Sequence, residues 1–381
     1  MTMRRFLLGL LVLTACRDTK PTASAAPAQS ITHTTTAAAL DSLPAIPVTN
    51  GRLVCLSDGQ KPCPTGTATA NWLHGGSFTT WEPHHQIQIW TPNKTDPQLL
   101  GELGAGEAQY DFVVSVAATR TGYIVLNASG MRALRYNANG KVESSLPFPP
   151  VSMTHATGYS GDVPFYQVIH EAGQDSAAEF ELREIDGPGD TVGRTVLKSK
   201  LNWLRLRDGR PAAPVPLFPI LPSYAIAADS DVVWSAGELF SIERRSPAGR
   251  LRWSLTSDAP GPAVTAADIA AARSRLPDGA DKAQKSRFDS IVAATAKFHP
   301  AVGAVYVAPD GRVIVAGFPV ASHDSVRYVV LSNTGQPVGR FSLPRSTRVL
   351  LFSGDSALAQ RAGANAQREL RWLVVRPPTK R

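Results

Sequence analysis

The sequence is poor in cysteine, in charge and in long apolar runs. It has 3 Cys among 381 residues, and charged residues make up only 18% of it. Three thiols are too few for a disulfide-dense mini-protein or for a four-cysteine zinc site. No apolar run approaches the roughly 20 residues that a membrane-spanning helix needs, so we expect no transmembrane domain.

Several enzyme motifs are also missing. The chain contains no Gly-x-Ser-x-Gly nucleophile turn, no His-Glu-x-x-His metal motif and no glycine-rich phosphate-binding loop. These absences lower the odds of a hydrolase, a metalloprotease or a nucleotide-binding enzyme. We therefore expect no cofactor and favour a non-enzymatic role.

Glycine, proline and apolar residues are abundant instead. The chain has 30 Gly and 30 Pro, 43% hydrophobic residues and a net charge of +8. Glycine and proline at this level disfavour a helix bundle, and the apolar content disfavours disorder. The composition favours an all-β protein with many turns, in one large domain or two ordinary ones.

The N-terminus is typical of an export signal. Arg4 and Arg5 precede the apolar run Phe6–Leu13, and the small residues Thr14 and Ala15 follow. Leu13-Thr14-Ala15-Cys16 resembles the lipobox of bacterial lipoproteins. This resemblance implies that residues 1–15 are a signal peptide and that Cys16 is acylated, while a plain secretion signal or a buried first helix remains the alternative.

The residues after Cys16 predict a spacer. Residues 16–45 are mostly small and polar, which indicates a flexible tether that includes His33. Arg17 stands where an aspartate often retains lipoproteins at the inner membrane, so an outer-membrane location is favoured. Removing Arg4 and Arg5 from 39 Lys+Arg leaves a net charge of +6 for the mature chain.

An internal repeat organises the remaining residues, 46–381. Ser115–Leu126, Tyr224–Trp234 and Ala304–Val315 each read as a strand, a polar turn and a second strand. A second hairpin follows each of them, with a turn that ends at Gly140, Gly249 and Gly335. The predicted unit is therefore four antiparallel strands.

Looser copies extend the repeat. Trp72–Leu103 and His155–Lys198 fit the same unit, and Arg348–Pro377 shows only three of its strands. Units of about 40–50 residues are typical of β-propeller blades, and the length fits about six blades. Arg52–Leu56 is the candidate fourth strand that closes the last blade. A pair of β-sandwiches remains the alternative.

One copy carries a family resemblance. The segment Gly101–Phe112 and the hairpins after it resemble a repeat of the NHL and related six-bladed propellers, and the matching residues are Gly104, Gly106, Glu107, Gly122, Ile124 and Gly140. Asn127–Arg132 matches the usual polar segment only in part. The resemblance implies a six-bladed propeller. Some propeller lyases of this group bind zinc at the channel through histidines, and on that pattern His155 and His299 are metal candidates.

Two long insertions are predicted on one face of the propeller. Residues 265–299 read as a helical hairpin that begins with a cap at Thr265 and Asp268. The segment Lys200–Pro222 occupies the equivalent connection one blade earlier. We therefore expect a binding face there, with the candidate residues Trp203, Arg205, Arg207 and Arg210.

The remaining chemistry concerns Cys55 and Cys63. Two nearby cysteines in an exported protein predict a disulfide, and a metal site is the alternative. A second basic cluster, Arg244, Arg245, Arg250 and Arg252, reads either as a contact for anionic headgroups or acidic polysaccharide or as a solvated strand face.

These observations favour a monomeric, membrane-anchored lipoprotein whose propeller binds or scaffolds a protein, a peptide or a glycan. Nucleic acid is not an expected partner. The alternative function is a channel-centred, metal-dependent hydrolase or lyase.

Overall fold

The structure is a computed structural model that describes residues 30–376, except 58–62, 67, 74–76, 93, 120, 131, 148–154, 161–162, 171–176, 185–193, 208–209 and 363–366. Only the backbone is described for residues 146–147, 155–160, 163–168 and 184. The predicted signal peptide, Cys16 and the side chain of His155 therefore lie outside the described part of the chain.

The described residues form an all-β ring of six four-stranded blades, which confirms the predicted fold class. Blades 1 to 3 follow in sequence. Blade 1 contains β3 (Thr69–Trp72), β4 (Phe78–Trp81), β5 (Ile87–Trp90) and β6 (Gln98–Leu100). Blade 2 contains β7 (Val113–Ala118), β8 (Gly122–Asn127), β9 (Arg132–Asn137) and β10 (Val142–Pro147). Blade 3 contains β11 (His155–Ser160), β12 (Val163–His170), β13 (Ala178–Glu184) and β14 (Arg194–Leu201).

The second half of the ring is built in the same way. Blade 4 contains β17 (Ser223–Ile226), β18 (Val232–Ser235), β19 (Ile242–Arg245) and β20 (Leu251–Ser257). Blade 5 contains β21 (Ala304–Val307), β22 (Val313–Ala316), β23 (Ser325–Leu331) and β24 (Pro337–Pro344). Blade 6 contains β25 (Thr347–Ser353), β26 (Ser356–Ala362), β27 (Arg368–Val375) and β2 (Val48–Leu56).

Strand β2 closes the ring, as predicted. It pairs antiparallel with β27, from Val48 opposite Val375 to Leu56 opposite Glu369, and completes blade 6. The innermost strands β3, β7, β11, β17, β21 and β25 contact one another in succession, and β25 contacts β3. The arrangement rules out two stacked sandwiches and leaves no open blade edge at the junction.

The core lies between neighbouring blades. One cluster joins blades 5 and 6, where the Tyr328 ring stacks on Phe341 with centroids 4.7 Å apart and Phe341 contacts Phe352. Similar clusters join blades 4 and 5, 1 and 2, 3 and 4, and 6 and 1. Burying each such aromatic side chain stabilises the fold by about 1.5–3 kcal/mol. The five clusters therefore hold neighbouring blades together.

The N-terminal segment corrects the predicted tether. Residues 31–47, here called the strap, run along the outside of blades 4 and 5 before β2 begins. β1 (Ile31–Thr35) pairs parallel with β20, and α1 (Ala37–Asp41) follows. Ala45 then bridges Arg340 of β24. Composition misses this because the outer edges of β20 and β24 pair with the backbone of the strap, which needs few apolar side chains.

The predicted helical hairpin is present but shorter. α2 (Ala266–Arg273) and α3 (Lys282–Ala293) begin with capping boxes at Thr265 and Asp281. The predicted range of 265–299 is too long at its end: α3 stops at Ala293, and residues 297–299 pair with 262–264 through backbone hydrogen bonds from Val264 to Lys297 and from His299 to Pro262. A small hairpin, β15 (Leu206–Arg207) with β16 (Arg210–Pro211), lies in the other insertion.

Alternating strand directions give the ring two faces. The insertion face carries the segments 202–222, 236–241, 258–303 and 317–324, which connect blades or join the second and third strands of a blade. The turn face carries the tight turns 227–231, 246–250, 308–312, 332–336 and 354–355. Both long insertions therefore lie on one face, as the repeat predicts.

Candidate functional site

The two insertions pack against each other. The Phe218 ring of the first insertion contacts the His299 imidazole of the second, with centroids 4.3 Å apart. Phe318, from the 317–324 loop, stacks on His299 at 5.3 Å and contacts the Phe218 ring at 6.3 Å. The Leu217 amide also donates a hydrogen bond to Thr295 Oγ1 at 3.0 Å. Three separate segments thus form one packed platform on the insertion face.

A buried contact between a carboxylate and an imidazole lies beneath this platform. His299 Nε2 is 3.2 Å from Asp268 Oδ2, and the side chains of both residues are 1% exposed. Asp268 also accepts hydrogen bonds from the Thr265 hydroxyl and amide and from the Ser322 amide. Burial alone would raise the pKa of the Asp268 carboxyl, but the hydrogen bonds from Thr265, His299 and Ser322 outweigh it and lower the pKa well below its usual range.

This packing corrects the interpretation of His299. A channel ligand needs an accessible ring nitrogen, whereas His299 is enclosed by Phe218, Phe318 and Asp268. His299 therefore joins α2 to the connection before blade 5 and does not serve as an open metal ligand.

The predicted binding residues differ in role. Trp203 is half-buried, and its Nε1 donates a hydrogen bond to the Ile220 carbonyl at 2.7 Å, so it shapes the first insertion from within. Arg205, Arg207 and Arg210 are exposed on and beside the β15–β16 hairpin. The structure thus brings three cationic side chains to the insertion face and uses the tryptophan for support.

No sequence pattern predicts the exposed apolar residues on this face. Leu221, Leu239 and Phe298 are 41%, 45% and 46% exposed. Leu239 bridges Pro260 and Phe298 bridges Ala263, so both side chains flank the 258–264 segment. Side chains of this size are exposed one at a time on many surfaces, but three on one platform are typical of a protein-binding surface.

The second basic cluster lies on the opposite, turn face. Arg244 is nearly buried and binds Asp231 and Asp229, with its Nε 2.9 Å and its Nη2 2.7 Å from their carboxylates. Arg245 pairs with Glu243, and Arg252 lies 3.6 Å from Asp231. A cavity of about 500 Å³ opens beside these residues between blades 4 and 5. Most of this positive charge is therefore neutralised within blade 4.

Blade 3 carries a cluster that sequence reasoning missed. Ligand-type atoms of His170, Glu179 and Glu181 lie within 4.8 Å of one another, because His170 and Glu179 are cross-strand partners on β12 and β13. Lys198 contacts both glutamates, and Arg183 Nε donates to Glu181 Oε2 at 2.6 Å.

The charges of this cluster are balanced by the chain itself. Burial raises the pKa of the Glu181 carboxyl, but Arg183 and His170 together lower it below its usual value. The hydrogen bond with Glu179 raises the pKa of Lys198. A divalent metal would have to displace Lys198, so the cluster is a compensated ion network. No other such cluster occurs in the ranges that the structure describes.

The two cysteines of the first segment are bonded. Cys55 at the end of β2 and Cys63 are both buried and form a disulfide with an S–S distance of 2.08 Å. The bond ties the closing strand to the connection that leads into blade 1, so these thiols are not a metal pair.

Three of the residues behind the family resemblance, Gly106, Glu107 and Gly140, line a second cavity of about 730 Å³ between the 101–110 loop and blade 2. A Cβ at Gly122 would lie 2.0 Å from the Tyr136 carbonyl oxygen, and Gly140 has a φ of +78°. Glycine at both positions is required by the backbone.

Comparisons with known proteins add little. No protein-family model matches the chain, and no curated protein matches it. Among solved structures, a protein of Bacteroides fragilis described as exported has 10% identity and a TM-score of 0.48, covering 91% of this chain and 100% of that one. A member of the DUF4221 family from Bacteroides vulgatus has 9% identity and a TM-score of 0.49, covering 88% and 100%.

The β-propeller domain of the Trilobed protease from Pyrococcus furiosus has 10% identity and a TM-score of 0.39, covering 80% of this chain and 81% of that one. These similarities are too weak to carry an argument about function. In the part of the chain that the structure covers, no helix has the length and apolar character to cross a membrane.

Proposed function

We propose that this chain is a bacterial lipoprotein whose propeller binds or scaffolds a protein, a peptide or a glycan at the insertion face. In this proposal, residues 1–15 are removed, Cys16 carries the lipid, and the protein resides at the outer membrane. The packed platform formed by the two insertions, with exposed cationic and apolar side chains on one surface, is the observation that carries the proposal. A rigid platform loses little conformational entropy on binding, which favours recognition.

The charge of the insertions supports an anionic ligand. Residues 200–222 and 258–303 together contain 10 Lys+Arg and 6 Asp+Glu, a net charge of 10 minus 6, or +4. One of the six acids, Asp268, is buried against His299 and contributes no charge to the surface. Anionic groups on an acidic peptide or polysaccharide would therefore be attracted to this face.

We also propose that the ring is an NHL-like propeller. The glycines of the matched repeat occupy positions with positive φ or without room for a Cβ, as at Gly104, Gly122 and Gly140. These backbone requirements support the resemblance noted in the sequence.

Binding to anionic probes tests the function. We expect the soluble ring to bind polygalacturonate or a poly-glutamate peptide in titration calorimetry at low ionic strength. The triple variant Arg205→Glu/Arg207→Glu/Arg210→Glu should lose most of this affinity, because the three introduced carboxylates repel the anionic probe. The matched control is Arg250→Glu/Arg252→Glu on the turn face, which should bind normally. Absence of binding, or equal losses in both variants, would reject the insertion face as the site.

The lipid anchor has a separate test. Cys16→Ser should abolish labelling by radioactive palmitate and release the protein from the membrane fraction, because two or three acyl chains provide the stable attachment. Retention of the label in that variant would refute acylation at Cys16.

A further inference from the structure

The strap fixes where the N-terminal segment leaves the ring. In the parallel β1–β20 pairing, Ile31 lies opposite Trp253 and Thr35 opposite Ser257. β20 follows the 246–250 turn, so its first residues lie at the turn face and its last residues at the insertion face. The chain therefore reaches the propeller at Ile31, at the turn-face end of blade 4, on the side opposite the insertions.

Several contacts hold the strap in this position. His33 Nε2 lies 2.9 Å from the Thr334 carbonyl oxygen of blade 5. Leu40 is buried against blades 4 and 5, and Asp41 pairs with Arg327. Ile46 donates a backbone hydrogen bond to Arg340 and packs in the cluster between blades 5 and 6. The strap is thus fastened along its length and does not act as free linker.

Only residues 17–30 separate Cys16 from Ile31. Those 14 residues reach at most about 50 Å when fully extended. A flexible chain of that length has a typical end-to-end distance of only about 20 Å. An anchor at Cys16 would therefore keep the turn face of blade 4 close to the bilayer.

Other parts of the chain also lie at this face. β2 starts at Val48 and β27 ends at Val375, and these two residues are paired at the turn-face side of blade 6. Arg250 is exposed beside the attachment point, and the Arg252 side chain is 43% exposed. The tight turns of this face also carry Asp229, Asp231, Asp310 and Asp355, so charge does not set the orientation and the attachment point at Ile31 carries the inference.

We infer that the turn face is the membrane-proximal surface and that the insertion face is presented away from the bilayer. This inference rests on the lipid anchor proposed above. To bring the insertion face to the lipid, the short segment before Ile31 would have to extend past the whole side of blade 4, which costs conformational entropy. The turn face then lies beside the lipid surface because of the anchor, and the insertion face stays free for its ligand.

Energy transfer to the bilayer tests the orientation. The full-length acylated protein is reconstituted into phosphatidylcholine–phosphatidylglycerol vesicles that contain a headgroup-labelled acceptor lipid. A donor dye is attached at Ala248→Cys in a turn-face loop or at Asp278→Cys between α2 and α3; both positions are exposed. We expect several-fold higher transfer from position 248. Equal transfer, or higher transfer from position 278, would overturn the inference.

A variant that releases the strap tests whether the strap sets the orientation of the ring. His33→Pro/Thr34→Pro places proline at adjacent positions of β1, so at least one removes a donor that the ladder needs. Release of the strap lengthens the stretch of chain between Cys16 and the ring to residues 17–47, at most about 110 Å. We expect the difference between the two reporters to shrink while palmitate labelling persists. An unchanged difference would show that the strap does not set the orientation.

The two proposals fail in different ways. If the parent protein carries no fatty acid, the lipid anchor is wrong. If it is acylated and bound to vesicles but the reporters do not differ, the anchor stands and the orientation is wrong. The Cys16→Ser variant gives the background signal for both reporters.

Discussion

Asp268 connects three parts of the insertion face through one carboxylate. It caps α2 through Thr265, accepts the Ser322 amide from blade 5 and pairs with the buried His299. Because the charge is removed from water, each of these contacts is needed to compensate for its burial. The carboxylate therefore joins the segments that form the platform.

Asp268→Asn should lower the free energy of unfolding by about 2–4 kcal/mol at pH 7, because the buried carboxylate that accepts hydrogen bonds from Thr265 and Ser322 and contacts His299 is lost. The pKa of Asp268 is lower in the folded state than in the unfolded state. Its stabilising contribution is therefore complete above the ordinary carboxyl pKa and is lost as the pH falls towards the folded value. Urea unfolding at pH 7 and at pH 3 should show the difference between the variant and the parent shrinking in acid.

The exposed Asp278, between the two helices, provides the control for this measurement. Asp278→Asn should change the free energy of unfolding by less than about 0.5 kcal/mol. A similar small effect for Asp268→Asn would mean that the buried pair does not stabilise the platform.

At the scale of elements, two first turns of neighbouring blades share one geometry. Ala227 donates a hydrogen bond to Asp231 in blade 4, and Ala308 does the same to Arg312 in blade 5. The left-handed position is Ser230 in the first turn, with a φ of 65°, and Gly311 in the second, with a φ of 82°. Among the residues that the structure covers, Ser230 is the one non-glycine with a positive φ.

Ser230→Gly should raise the free energy of unfolding by up to about 1 kcal/mol, since glycine removes the left-handed penalty but adds entropy to the unfolded chain. Gly311→Ser is the reciprocal variant and should lower it by about 1–2 kcal/mol. A Cβ at Gly311 would have its nearest contact at 3.4 Å, so the change is one of backbone conformation. Thermal unfolding followed by circular dichroism measures both; a loss of stability in Ser230→Gly would contradict the strain argument.

The strands were predictable because the repeated turns and β-branched residues recur with a fixed spacing. β8 and β18 follow the same pattern of turn and apolar strand, and β2 was identifiable because the last unit lacked a strand. β1 was not predictable, because a Thr-rich strand that pairs only through its backbone has no apolar signature. The end of α3 was not predictable, because the pairing of residues 262–264 with 297–299 is a tertiary contact that leaves no local sequence pattern.

The candidate site was predictable only in outline. Connection length predicts that Arg205, Arg207 and Arg210 lie on the face with the helical insertion, and the structure has them there. It could not reveal that His299 is enclosed by Phe218 and Phe318, because those three residues come from different segments of the sequence. Connection length also could not show that Arg244 forms ion pairs with Asp229 and Asp231, because these pairs depend on the packing within blade 4.

At the scale of the whole molecule, closure of the ring depends on its N-terminal residues. The chain that begins at residue 30 should unfold cooperatively, because the strap and β2 are both present. The chain that begins at residue 48 loses the buried side chains of Leu40 and Ile46 and should lose about 3 kcal/mol or more. The chain that begins at residue 57 leaves β27 as an open edge and should aggregate.

Calorimetry and size-exclusion chromatography distinguish these three truncations. The informative comparison is between the chains that begin at residues 48 and 57, because they differ only in the closing strand and its disulfide. Equally cooperative melting of a monomer in both would show that the ring does not need β2.

The parallel pairing of β1 also has a mechanical consequence. Any pull on the chain before Ile31 acts along the axis of β1, so its five residue pairs with β20 are sheared together and do not peel apart one by one. The force is spread over blades 4 and 5 before it can reach Val48. Tension on the N-terminal segment is therefore carried by β1 and the strap, and it reaches the closing strand β2 last.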